Sequence, residues 1–204
     1  MPRTEMVSIS GPAGKLEVVV HIPDVAPRAI AVIAHPLPTM GGTMENKIVT
    51  TLAKTFAELG FAALRFNFRG VGASSGEFDD GNGEVEDALT VTRYALSEYG
   101  DLPLILSGFS FGGYVQARAA QQLPVHQLVL IAPAVTRYPM PPVPHNTLLV
   151  HGELDEVVSL ADVMQWARPQ LLPIVVLPGA EHFFHGRLEQ LKEIVRHNFM
   201  GQAL

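Results

Sequence analysis

Serine, histidine and an acid hydrolyse carbonyl compounds only as a set. The serine hydroxyl is a poor nucleophile until an imidazole takes its proton, and the imidazole needs a carboxylate to fix its tautomer. The strongest chemical signal in the chain is Gly108-Phe109-Ser110-Phe111-Gly112-Gly113, a G-x-S-x-G pattern with an apolar run before it and helical periodicity after it. A serine held out on such a tight strand-to-helix turn has a strained backbone, and its neighbours can carry almost no side chain. Gly108 and Gly112 supply that clearance, and Gly113 lets the helix pack close. Asp155 follows 45 residues later in His151-Gly152-Glu153-Leu154-Asp155-Glu156, just past another apolar run. Glu153 and Glu156 stand beside it as alternative carboxylates. His182 comes 27 residues after Asp155, in Leu177-Pro178-Gly179-Ala180-Glu181-His182-Phe183-Phe184-His185. His185 competes with it as the base, and the two could be read as a metal pair. With no third ligand at a recognisable spacing, no metal site is expected. His35 reads as structural, and His21, His126, His145, His151 and His197 as loop or surface residues.

A tetrahedral intermediate also needs donors for its oxyanion. The amide after the nucleophile, that of Phe111, is one. The second is expected in the loop His35-Pro36-Leu37-Pro38-Thr39-Met40-Gly41-Gly42. Prolines carry no amide hydrogen, so beyond the histidine itself only Leu37 can donate from His-Pro-Leu-Pro, and its flanking prolines hold that amide in a fixed direction.

Positioning these residues requires strands that end where they lie. Apolar, β-branched runs at 18–22, 29–34, 62–66, 103–106, 128–131, 147–150 and 174–177 mostly lack polar alternation and read as strands buried on both faces. Between them, 45–59, 83–99, 112–122, 160–167 and 186–199 carry apolar residues at spacings of three and four. In the first helix Ile48, Leu52, Phe56 and Leu59 mark one face, and Gly60 provides a left-handed stop. The pattern is an α/β fold: a mostly parallel central sheet of about seven strands with helices on both faces, in one domain spanning residues 1–204.

Of the 204 residues, 48% are hydrophobic and 17% charged, enough apolar content to close one sizeable core. The net charge of −6, with basic residues scattered singly, excludes a phosphate-tracking surface, so no nucleic-acid partner is expected. There is no cysteine, which removes disulfides, thiolate metal sites and a cysteine nucleophile. No apolar run approaches a membrane span and the first residues do not resemble a signal peptide. A soluble, cytoplasmic protein is the expectation.

The residues resemble the α/β-hydrolase superfamily over most of the chain. Besides the three triad segments, Asn67-Phe68-Arg69-Gly70-Val71-Gly72-Ala73-Ser74 is similar to the superfamily's D-x-R-G-x-G-x-S loop, with Asn67 in place of the usual Asp. The stretch from His35 to Lys47 resembles a branch of small, lidless bacterial serine hydrolases. The resemblance implies Ser110 as nucleophile, His182 as base, Asp155 as orienting acid, and Leu37 and Phe111 as the amide pair. Superfamily caps usually follow the strand that here ends near Ile131, and the 15 residues 132–146, rich in proline, cannot build one. An open mouth is then expected, lined by Leu37, Met40, Phe109, Phe111, Tyr138, Met140 and Phe183. Together these point to a hydrolase of small to medium carboxylic esters or thioesters, with a small-molecule acyl substrate and no metal or organic cofactor. A perhydrolase or acyltransferase with the same triad is one rival, and a non-catalytic binding module of the same fold is another. Apolar residues at the mouth leave a homodimer contact open.

Overall fold

The computed structural model describes residues 3–202 and 204. Eight strands form one sheet: β1 (Arg3–Gly11), β2 (Gly14–Ile22), β3 (Ala29–Ala34), β4 (Phe61–Phe66), β5 (Leu104–Phe109), β6 (Gln127–Ile131), β7 (Leu148–Gly152) and β8 (Val175–Leu177). Their spatial order is β1-β2-β4-β3-β5-β6-β7-β8. The six from β4 to β8 run parallel, and β1 and β2 are antiparallel additions. The central strands β3, β4, β5 and β6 are buried along their whole length, as near-continuous apolar runs require when both faces are covered.

Five helices supply that cover: α1 (Lys47–Glu58), α2 (Asn82–Tyr99), α3 (Phe111–Ala119), α4 (Leu160–Ala167) and α5 (Leu188–Phe199). On one face Ile48, Leu52 and Phe56 of α1 meet Leu191, Val195 and Phe199 of α5 over Ile33, Ile105 and Phe109. On the other, α2, α3 and α4 pack over Val32, Leu64 and Leu106. Asn46 caps α1 by accepting from the Ile48 amide at 2.9 Å, and Gly60 ends that segment at φ +83°, the left-handed conformation glycine adopts without strain.

The strand count of about seven becomes eight because β1 is largely exposed. Its polar positions interrupt any apolar run, and it is held by pairing with β2 across the turn at Pro12 and Ala13. At the other edge β8 is not buried on both faces: Val175 and Val176 are 38% and 37% exposed. Two histidines also depart from expectation. His21 and His151 lie on strands and are buried, each held through one ring nitrogen: His21 Nε2 accepts from Arg65 Nε at 3.0 Å and His151 Nε2 bonds to Val158 O at 2.8 Å.

Among the described residues no helix or strand lies between β6 and β7, so no cap covers the parallel strands' carboxyl ends. No helix there is long and apolar enough to cross a membrane.

Candidate active site

Ser110 sits between β5 and α3 at φ +54°, ψ −116°, a conformation that costs a non-glycine residue on the order of 1–3 kcal/mol. The surrounding packing imposes it. A Cβ on Gly108 would lie 2.3 Å from Gly112 C, and one on Gly112 would lie 2.2 Å from Ala34 O. Any side chain at either place would force the turn open or off the end of β3. The Ser110 amide donates to Ile131 O at 2.9 Å, tying the turn to β6.

Asp155 lies in the loop after β7, and His182 in the loop after β8. The two loops are stitched together: the Leu154 amide donates to Ala180 O at 2.9 Å and the Glu153 amide to Leu177 O at 3.0 Å. Gly152 permits the approach, since a Cβ there would meet Ala180 O at 2.5 Å. Asp155 Oδ1 accepts from the Val157 and Val158 amides at 2.9 and 2.7 Å, and Oδ2 accepts from His182 Nδ1 at 2.7 Å. His182 Nε2 lies 3.2 Å from Ser110 Oγ. A carboxylate only accepts, so Nδ1 carries the hydrogen that faces Asp155, and Nε2 is the ring nitrogen turned toward the serine hydroxyl. Burial pushes the Asp155 carboxyl upward, but the hydrogen bonds from His182 and the two amides outweigh it and hold its pKa below the ordinary value. Glu153 accepts from the Gly179 amide at 2.8 Å and Glu156 is exposed. His185 is exposed and paired with Glu181. Asp155 and His182 are therefore the members of the two open choices that reach Ser110.

The Leu37 and Phe111 amides donate to no protein acceptor among the described residues, and both residues line the cavity into which Ser110 opens. The Leu37 peptide is held from behind. His35, fully buried, donates from Nδ1 to Pro36 O at 2.7 Å and accepts at Nε2 from the Phe68 amide at 3.1 Å. A planar trans peptide points its carbonyl and N–H in opposite directions, so fixing Pro36 O aims the Leu37 N–H. Burial lowers the His35 pKa to about 4, against a smaller opposing effect of that Pro36 bond. The loop then folds back through Gly42, where a Cβ would lie 2.1 Å from Pro36 O.

Asn67, the departure from the Asp of the D-x-R-G-x-G-x-S loop, anchors the same loop from the other side. Its Oδ1 accepts from the Met44 amide at 2.9 Å and its Nδ2 donates to Glu17 Oε2 at 2.8 Å. An aspartate here would set two carboxylates against each other, whereas the amide donates to one.

The cavity measures about 430 Å³ and includes Leu37, Met40, Phe111, Tyr138 and Phe183 among its walls, as expected. Two expected rim residues do not reach it. Phe109 is fully buried and packs beneath the His182 ring, centroids 5.0 Å apart; Met140 packs against the core. Sequence reading missed Asn46, Thr136, Arg137, Val157 and Val158 on the walls. It also missed His151, whose Nε2 donates to Val158 O at 2.8 Å and lies 3.4 Å from Asp155 Oδ2. The one available signal was position, His151 standing four residues before the acid and Val157–Val158 just after it.

A mostly parallel sheet with this serine turn and no lid is the architecture of the α/β-hydrolase superfamily. The match to a family model over residues 25–146 identifies the branch: the chain belongs to the family described as serine aminopeptidase, S33. An α/β serine hydrolase homologue from Coxiella burnetii is 42% identical, with 96% of this chain and 97% of that chain covered and a TM-score of 0.90. An α/β serine hydrolase without lid from Xanthomonas campestris is 38% identical over 96% of this chain and 93% of that one, with a TM-score of 0.92. An uncharacterized protein of Rickettsia prowazekii is 29% identical over 93% of this chain and 86% of its own length. The protein is a lidless serine-hydrolase-family member.

Proposed function

We propose that the protein is a serine-dependent esterase or thioesterase that works through an acyl-enzyme on Ser110. The observation that carries this reading is the unbroken run Asp155–His182–Ser110, at 2.7 and 3.2 Å, opening into a cavity with two unused amide donors. Ser110 Oγ attacks the substrate carbonyl carbon as His182 Nε2 takes its proton, and the carbonyl oxygen takes up the electron pair. The Leu37 and Phe111 amides stabilise that oxyanion, each worth about 3 kcal/mol in comparable sites. Asp155 holds the imidazolium. The tetrahedral intermediate collapses with cleavage of the ester C–O or thioester C–S bond, and His182 gives its proton to the leaving alcohol or thiol. Water, deprotonated by His182, then attacks the acyl-enzyme; Ser110 leaves with the proton, and the acid is released.

The family's description refers to a peptidase, but the cavity favours an ester. An aminopeptidase must hold an α-ammonium, and among the described residues the cavity walls include Arg137 and no carboxylate. The substrate is a small acyl compound, and the soluble, cytoplasmic setting expected from the sequence belongs to the same proposal.

Labelling with a fluorophosphonate probe, wild type beside Ser110→Ala, tests the reading. An adduct mapped to Ser110 and lost in the variant is the expected result. A folded wild-type protein that takes no label would overturn it and bring forward the binding-module alternative.

A further inference from the structure

The charge on the cavity wall narrows the substrate class, on the premise that Ser110 is the nucleophile of an ester hydrolase. Arg137 lines the same cavity as Ser110. It is exposed and forms no ion pair among the described residues, whereas Arg65 and Arg69 are bound to Glu45 and Asp87. Its guanidinium stands 5.9 Å from the centre of the Tyr138 ring. Tyr138 is itself stacked on Tyr114 at 4.7 Å, and Arg118 donates to the Tyr114 hydroxyl at 3.0 Å. The free cation thus rests on a braced aromatic platform. The nearby carboxylate is Asp80, whose charge reaches Tyr138 without pairing to Arg137. In a chain of net charge −6, a bare arginine at the mouth is a local field of the opposite sign, and its planar fork matches an oxyanion group bidentately.

Position within the cavity selects which half of the substrate carries that anion. Tyr138 lies against Phe111, ring centres 5.1 Å apart, and Phe111 supplies one of the oxyanion amides. His182, which protonates the leaving group, is packed instead against Phe109 and Phe183. We infer that the preferred substrates are esters or thioesters whose acyl chain ends in a carboxylate, held by Arg137 across an apolar middle segment. Hydrolysis of such a compound consumes one water, breaks the ester C–O or thioester C–S bond and releases a dicarboxylate, a neutral alcohol or thiol and one proton.

The experiment compares mono(para-nitrophenyl) glutarate with its uncharged methyl ester, reading the ratio of kcat/KM for the two. An exposed ion pair is worth up to about 1 kcal/mol, so the wild-type ratio should favour the acid by about fivefold. That ratio should fall with added salt, approach one in Arg137→Gln and drop below one in Arg137→Glu. A ratio near one in the wild type, or one that Arg137→Gln leaves unchanged, overturns the inference. So does a preference seen only when the carboxylate is on the leaving group, as in butyryl para-hydroxybenzoate against its methyl ester. Fluorophosphonate labelling of Ser110, run in parallel, separates the two levels: a labelled protein without charge preference sinks this inference alone, and an unlabelled one sinks the hydrolase reading with it.

Discussion

The floor and the rim of the cavity are built on opposite terms. At the floor, Ser110, the Leu37 peptide and the Asp155–His182 pair are each fixed by several contacts, with glycines at 42, 108, 112 and 152 where no Cβ fits. At the rim, Met40 is 79% exposed, Val157 55% and Phe183 42%, so much of each side chain meets only solvent. Preorganised dipoles lower a barrier only if they need not move, whereas substrate choice tolerates soft contacts. The contrast teaches that chemistry and selectivity are physically separable here: the floor should be intolerant of change and the rim permissive.

The largest effect should come from the proposed nucleophile on the floor. Ser110→Ala should lower kcat for a short-chain aryl ester by roughly 10⁶, as loss of a triad member does in other serine hydrolases. Gly42→Ala should follow, because the new Cβ collides with Pro36 O and turns the Leu37 amide; loss of one oxyanion donor costs roughly 10²–10³ in kcat, and a value near wild type would remove Leu37 from that role. Acid tests whether the floor is also the weak point in stability. Burial, helped by Arg65 and Lys54, takes the His21 pKa to about 4, and burial takes that of His35 to about 4 against an ordinary 6.5. The unfolded chain therefore binds these protons first. Stability from both sites is full above pH 6.5 and is lost as pH falls towards 4, about 3 kcal/mol for each. Denaturant titrations from pH 7 to 4 should show that loss, and His35→Gln should remove about half of it, leaving the part due to His21. The smallest effect belongs to the rim: Met40→Ala should change KM by less than about fivefold and leave the unfolding midpoint in place. A large loss of kcat there would erase the distinction between floor and rim.

Much of the floor was legible in the sequence, because glycines, prolines and the order of three reactive side chains are local signals. The rim was harder to read for a specific reason. Alternation along β5 sends Ile105, Ser107 and Phe109 to the face beneath α1 and α5, so Phe109, although adjacent to Ser110, lies under the histidine and away from substrate. Arg137 and Val157 reach the cavity from loops whose path depends on how β6 and β7 sit side by side, which no local spacing encodes. β1 carries no apolar run because a strand covered on one side needs few apolar residues, and Val7 and Ile9 suffice. By sequence His151 reads as a loop or surface residue, because burying an imidazole depends on partners that only the folded loop supplies.

The order of strands in the sheet also constrains how the chain matures as it is synthesised. β3 is complete at residue 34, yet one of its flanks pairs with β4 and the other with β5, which ends at residue 109. Until β5 emerges, a fully apolar strand keeps an open hydrogen-bonding edge, the surface on which nascent chains most readily associate with one another. The amino-terminal half therefore cannot be a finished unit before the segment bearing Ser110 arrives, and the element that leads into the serine turn is also the one that closes the sheet.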